Sequence, residues 1–186
     1  MCTVLLRFAP GTRWPLLVAA IRDEFVGRSW QPPAAHWPGT PYVGGRDLVA
    51  GGTWLAVRPA RAPADAEAAG GSVSGDLSAL AAVLNGRPMP PPVDGWRPSR
   101  GTLPLAALAD VSLPAGPELA RYDRFHLLLG TPDRADVWTW DGADLTRRAL
   151  EPGDHILVND GVDATGDPLV PHFAPILTRT ATPDPR

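Results

Sequence analysis

The reactive chemistry of this chain concentrates at one residue. Its single cysteine, Cys2, stands at the second position of 186. Removal of Met1, which a residue as small as cysteine permits, would place a free α-amino group beside the thiol. The amine has an ordinary pKa of about 8 and the thiol about 8.5. Near neutral pH part of the amine is unprotonated and can take the thiol proton. One residue would then supply both nucleophile and base, as in N-terminal nucleophile enzymes. The competing reading is a small apolar residue at the start of a strand, since free cysteine is often buried. No other reactive pattern competes. The four histidines, His36, His126, His155 and His172, share no ligand spacing, and no HExxH, CxxC pair or glycine-rich phosphate loop occurs. Asp160, Asp163 and Asp167 lack the twelve-residue calcium pattern and its terminal glutamate, and read as a plain acidic turn. His126, inside Phe125-His126-Leu127, reads as a satisfied strand histidine.

Several segments resemble the NRDE family, the family of transport and Golgi organisation protein 2. They are Met1-Cys2-Thr3-Val4, Ala19-Ala20-Ile21-Arg22-Asp23-Glu24, Gly51-Gly52-Thr53-Trp54-Leu55 and Ser99-Arg100-Gly101, in that order. Ile21 replaces the asparagine that gives the family its name. The family is in turn similar to cysteine N-terminal nucleophile hydrolases of the choloylglycine-hydrolase type. The resemblance implies acyl transfer at a non-peptide C–N bond, for example in an N-acyl amine. It implies that Cys2 attacks, that Asp23 orients the Cys2 amine, and that Asn85 and Asn159 donate to the oxyanion. Arg22, Trp30 and Trp54 are the residues expected to bind the ligand. Strand alternation puts Ile21 on the face of Asp23, where it would dry the site. No cofactor is expected for such chemistry. The resemblance also implies a second class of function, a non-catalytic carrier of haem or of an acyl-lipid or acyl-CoA-like ligand. A purely architectural domain is a third, and predicts no pocket at Cys2.

Composition narrows the field. Apolar residues make up 44% of the chain, which suits a globular core. All 17 basic residues are arginine, net charge is −3 and the pI is about 5.7. With abundant Ala, Gly and Pro, this reads as the codon bias of a GC-rich bacterial genome. It does not read as a nucleic-acid footprint. A lone cysteine makes no internal disulfide and fits a reducing cytoplasm. No apolar run approaches the roughly 20 residues of a membrane span, and no signal-peptide pattern opens the chain. The expected partner is a small molecule.

The elements that must position Cys2 follow from turn signals and alternation. Cys2–Phe8 and Leu16–Ile21 flank a Pro/Gly-rich turn and predict a hairpin. Residues 26–43 predict a long loop in which Trp30, His36 and Trp37 line a pocket mouth or cover the core. Residues 47–57 predict a tight turn entering a strand. Residues 58–75 predict a flexible excursion with a short helix at 64–69. A strand over 77–84, a helix over 103–110 and a short helix over 117–122 follow. Strands then fall over 124–129, 135–140, 144–150 and 155–158, with Asp141-Gly142 and Pro152-Gly153 as turns. A short helix over 172–178 and a frayed tail over 180–186 close the chain. The strand count predicts stacked antiparallel sheets in one α+β domain over residues 1–186. The resemblance makes this an αββα sandwich of N-terminal nucleophile hydrolase type.

Overall fold

The computed structural model describes residues 2–60, 78–91, 95–110, 113 and 117–182. Its strands are β1 (Thr3–Phe8), β2 (Leu16–Ile21), β3 (Trp30–Ala34), β4 (Val43–Asp47), β5 (Leu55–Arg58) and β6 (Ala79–Asn85). They continue with β7 (Phe125–Thr131), β8 (Arg134–Trp140), β9 (Leu145–Ala149), β10 (Gly153–Val158) and β11 (Gly161–Val162). The helices are α1 (Leu103–Asp110) and α2 (Leu169–Arg179), with 3-10 turns at Arg100–Thr102 and Pro117–Arg121. One sheet runs β11-β10-β1-β2 and the other β3-β4-β5-β6-β7-β8-β9. Every pairing is antiparallel.

Period-two alternation sorts the apolar side chains into three layers of core. Val4, Leu6 and Phe8 of β1 and Leu157 of β10 meet Ala82, Leu84, Leu128 and Val137 between the sheets. The opposite face of the larger sheet, with Ala81, Leu127 and Leu129, packs against Leu103, Ala107 and Leu108 of α1. The opposite face of the smaller sheet, with Ile156 and Val158, packs against Val170, Phe173 and Leu177 of α2. Helix, sheet, sheet, helix is therefore the layer order, as expected. Small residues at 79, 81 and 82 of β6 let α1 and the other sheet approach its two faces.

Most predicted elements stand within a few residues of their expected limits. The 26–43 loop is different. Its centre forms edge strand β3, with Trp30 opposite Asp47 and an irregular register before Ala34. Pro32 and Pro33 concealed it, but an edge strand needs donors on one side only. Trp37 packs on the α1-side core with Tyr42, so it covers the core. The predicted excursion lies largely, and its 64–69 helix wholly, outside the described residues.

The expectation for Ile21 fails. β2 stops there, so alternation does not carry on to Asp23, and Arg22, Asp23 and Glu24 all turn into one cleft. Ile21 is left 54% exposed on an edge strand, outside the cleft wall. Ile21→Asn is therefore expected to change stability by less than about 1 kcal/mol and to leave alkylation of Cys2 unchanged. Thermal melts and iodoacetamide kinetics check both.

Candidate functional site

Register brings the site together. Val4 pairs with Leu157 on β10, and Thr3 pairs with Ile21 on β2. Continuing each ladder past its end puts Cys2 beside Asn159 on one side and the Arg22-Asp23 exit of β2 on the other. Asn85 arrives from the other sheet, at the end of β6. Cys2 is half-buried in the wall of a cleft of about 350 Å3. Arg22, Asp23, Asn85 and Trp54 line the same cleft.

Asn159 ties these ends together. The Cys2 backbone N–H donates to Asn159 Oδ1 at 2.9 Å, and Asn159 Nδ2 donates to the Asn85 carbonyl at 2.7 Å. Its side chain thus bridges the two sheets at Cys2, and one Nδ2 hydrogen remains for a ligand. Asn159 itself lines an adjoining hollow of about 490 Å3 that shares Asn85, Arg100 and Asp123 with the first. Below it, His126 is buried. Its Nε2 sits 3.1 Å from the Asn159 carbonyl and its Nδ1 2.9 Å from Thr139 Oγ1. Burial pushes its pKa down, against weaker opposing pulls from the Asn159 carbonyl and Asp160. A neutral ring with the proton on Nε2 donates to that carbonyl and fixes the Asn159 backbone. Asn159→Ala removes one acceptor and one donor, and an expected loss of about 2 kcal/mol follows. Thermal denaturation checks it, and Asn159→Asp is expected to recover part of the loss by keeping the acceptor.

The far wall is built from charge. Asp47, at the end of β4, is 5% exposed. Its Oδ2 accepts from Arg22 Nη2 and Arg28 Nε, both at 2.7 Å. Its Oδ1 accepts from the N–H groups of Val49 and Ala50 at 2.9 and 3.1 Å. Burial by itself would raise its pKa. The bonds from Arg28, Ala50, Arg22 and Val49 together outweigh burial and hold it at about 2. Glu24 joins the network through Arg22 at 3.1 Å and Arg28 at 3.6 Å. Arg22 also lies over Trp54, 4.6 Å from the ring centroid. Gly45 leaves the space that the Trp54 ring fills.

Trp30 stands outside the cleft. It meets Trp54 edge-on at 5.9 Å and is 55% exposed. With Phe25, Val26, Arg22 and Arg28 the two rings line a groove of about 420 Å3 that opens beside the cleft.

Three members of the site escaped sequence reasoning: Asp47, Arg28 and Arg100. Asp47 and Arg28 look like ordinary turn residues until the β3–β4 pairing brings them together. For Arg100 a signal existed. Gly51-Gly52-Thr53 and Ser99-Arg100-Gly101 each contain glycine, and the two segments pack directly on each other. Thr53 N–H donates to the Gly101 carbonyl at 2.8 Å. A Cβ on Gly52 would lie 2.9 Å from Gly101 Cα and overlap its carbonyl. That contact seats Arg100 in the cleft, near enough to Cys2 for their charges to interact.

Among the described residues no group of three or more His, Cys, Asp or Glu could hold a metal ion. No helix among them is long and apolar enough to cross a membrane. A comparison with curated proteins returned no significant match. The family model described as Transport and Golgi organisation 2 matches residues 1–168, a span that takes in Cys2, Asp23, Asn85, Arg100 and Asn159. The chain therefore belongs to the Transport and Golgi organisation 2 family.

Proposed function

We propose that this protein is a cysteine N-terminal nucleophile hydrolase acting on a small amide, with Cys2 as nucleophile once Met1 is removed. The observation that carries this reading is the grip of Asn159 on the Cys2 nitrogen, with the thiol side chain in the wall of a cleft. The same 2.9 Å contact suits an α-amine, which would be held beside the thiol it must deprotonate. Asp23, in the same wall, orients that amine. The Cys2 thiolate attacks the amide carbonyl carbon, forming an S–C bond. Asn85 and the remaining Asn159 hydrogen donate to the oxyanion, and one such donor is worth about 3–4 kcal/mol. The C–N bond breaks, the leaving nitrogen takes the proton from the Cys2 ammonium, and a thioester remains. The amine then deprotonates water, whose oxygen attacks the thioester and releases the acid and the thiol.

The test is mass spectrometry of the purified chain, followed by amide hydrolysis in wild type and Cys2→Ala. The reading requires loss of Met1 in active protein and no turnover in the variant. Retained Met1 in active protein, or full activity in Cys2→Ala, would overturn it.

A second reading draws on the exposed groove. Phe25 and Val26 are 85% and 104% exposed, beside Trp30 and Trp54. Such a surface suits carriage of an acyl-lipid or acyl-CoA-like ligand. Haem suits it less, because the groove is lined by neither histidine nor cysteine. A haem titration without a Soret shift at micromolar protein would remove that version.

A further inference from the structure

The cleft wall holds four arginines and four carboxylates, and the arginines are not paired alike. Arg22 and Arg28 are matched by Asp47 and Glu24, and Arg97 pairs with Asp123. Asp23 has an interaction of its own. Arg100 has no carboxylate partner among the described residues. Its Nη1 donates to the Arg124 carbonyl at 3.0 Å, a neutral acceptor that holds the guanidinium still. The planar group carries five N–H donors, so most of its capacity remains for a ligand. Burial pulls its pKa down, and the repulsion of Arg97 adds to that, against the attraction of Cys2. An anion from solvent would reverse the cost of burying this cation. Its position fits a ligand also, because Arg100 borders both the Cys2 cleft and the adjoining hollow of about 490 Å3.

We propose that Arg100 is the carboxylate receptor of the cleft, and that the substrate is a small amide bearing a carboxylate next to its scissile bond. The inference rests on the hydrolase reading of Cys2. A carboxylate is favoured over a phosphate because one guanidinium edge matches its two oxygens side by side. A phosphate dianion would call for a second unmatched cation, and among the described cleft residues every other arginine faces a carboxylate. Arg100 is thus a specificity residue. It acts on what the nucleophile meets, in addition to any effect on the nucleophile.

Two alkylating reagents separate these effects. Iodoacetamide and iodoacetate undergo the same reaction, in which the thiolate sulfur bonds to the methylene carbon and iodide leaves. They differ in a neutral amide against a carboxylate. Because the chain has one cysteine, both report Cys2. The ratio of their rates cancels thiolate reactivity and is compared with the ratio for the neutral thiol 2-mercaptoethanol. Wild type is expected to favour iodoacetate at least fivefold over that reference. Arg100→Gln should bring the ratio back to the reference, and Arg100→Lys should keep part of the preference. Raising NaCl should shrink the wild-type preference by screening, which decides the matter even if Arg100→Gln does not fold. An equal ratio in wild type and Arg100→Gln, or a wild-type ratio at the reference and independent of salt, would overturn the proposal while leaving Cys2 a nucleophile. Failure of both reagents to label Cys2 would overturn the hydrolase reading, and this one with it.

Discussion

Asp47→Ala is expected to lower stability by about 3 kcal/mol, the low end for breaking a buried ion pair. Four donors converge on this carboxylate, and alanine leaves all of them short of an acceptor. Glu24 and solvent relieve Arg22 and Arg28, whose side chains are 20% and 29% exposed, so the loss stays below the upper limit. The Val49 and Ala50 N–H groups have no such relief from Glu24. For a chain of this length the change corresponds to a melting temperature lower by about 6–12 °C. The pH dependence carries a sign. The folded-state pKa is about 2 against an ordinary 3.8, so the folded protein holds the charged form more strongly than the unfolded chain does. This stabilisation is complete above about pH 4 and is lost as pH falls through about 2. Between those limits wild type should lose stability faster than Asp47→Ala. Parallel curves through this window would show that Asp47 is not held by the network.

Gly52→Ala is the second large effect. The added methyl meets the Gly101 backbone, and both sides of the contact are main chain. Neither can swing away as a side chain would. The strand entry and the Arg100–Thr102 turn must separate, breaking the bond from Thr53 N–H to the Gly101 carbonyl. Overpacking of this kind costs about 1–3 kcal/mol, and the upper end is expected here. The separation also moves Arg100 from the cleft, so the iodoacetate preference of Cys2 should fall with stability. Chemical denaturation and the alkylation ratio measure the two separately. A folded Gly52→Ala with unchanged stability would mean that the two segments are not held together by this contact.

The sequence revealed the strands that follow simple alternation. Thr3–Phe8 and Leu16–Ile21 show apolar runs bounded by Pro and Gly, and the hairpin followed. It concealed β3, because paired prolines argue against a strand unless its edge position is known. It also concealed how far alternation runs. β2 leaves the sheet after Ile21, opposite Thr3 where β1 begins, so the alternation expected to reach Asp23 stops short of it. Of the site, Cys2 stood out as the lone cysteine, and Asn85, Asn159 and Asp23 came from resemblance. Their convergence depends on ladder register, since Cys2 and Asn159 are 157 residues apart. Arg100 was visible only as part of a motif. Its lack of a carboxylate partner emerges only when the ion pairs of the other cleft arginines are laid out.

The most direct test of the central claim is acylation of Cys2 itself. p-Nitrophenyl acetate is a small neutral acyl donor whose use does not depend on Arg100. Rapid mixing with purified protein lacking Met1 should release a burst of nitrophenolate equal to about one per chain, followed by slower turnover. Intact mass and peptide mapping during the burst should place one acetyl group on Cys2, and it should disappear at the turnover rate. A burst of the same size in Cys2→Ala, or an acetyl group found elsewhere while Cys2 stays unmodified, would contradict the account.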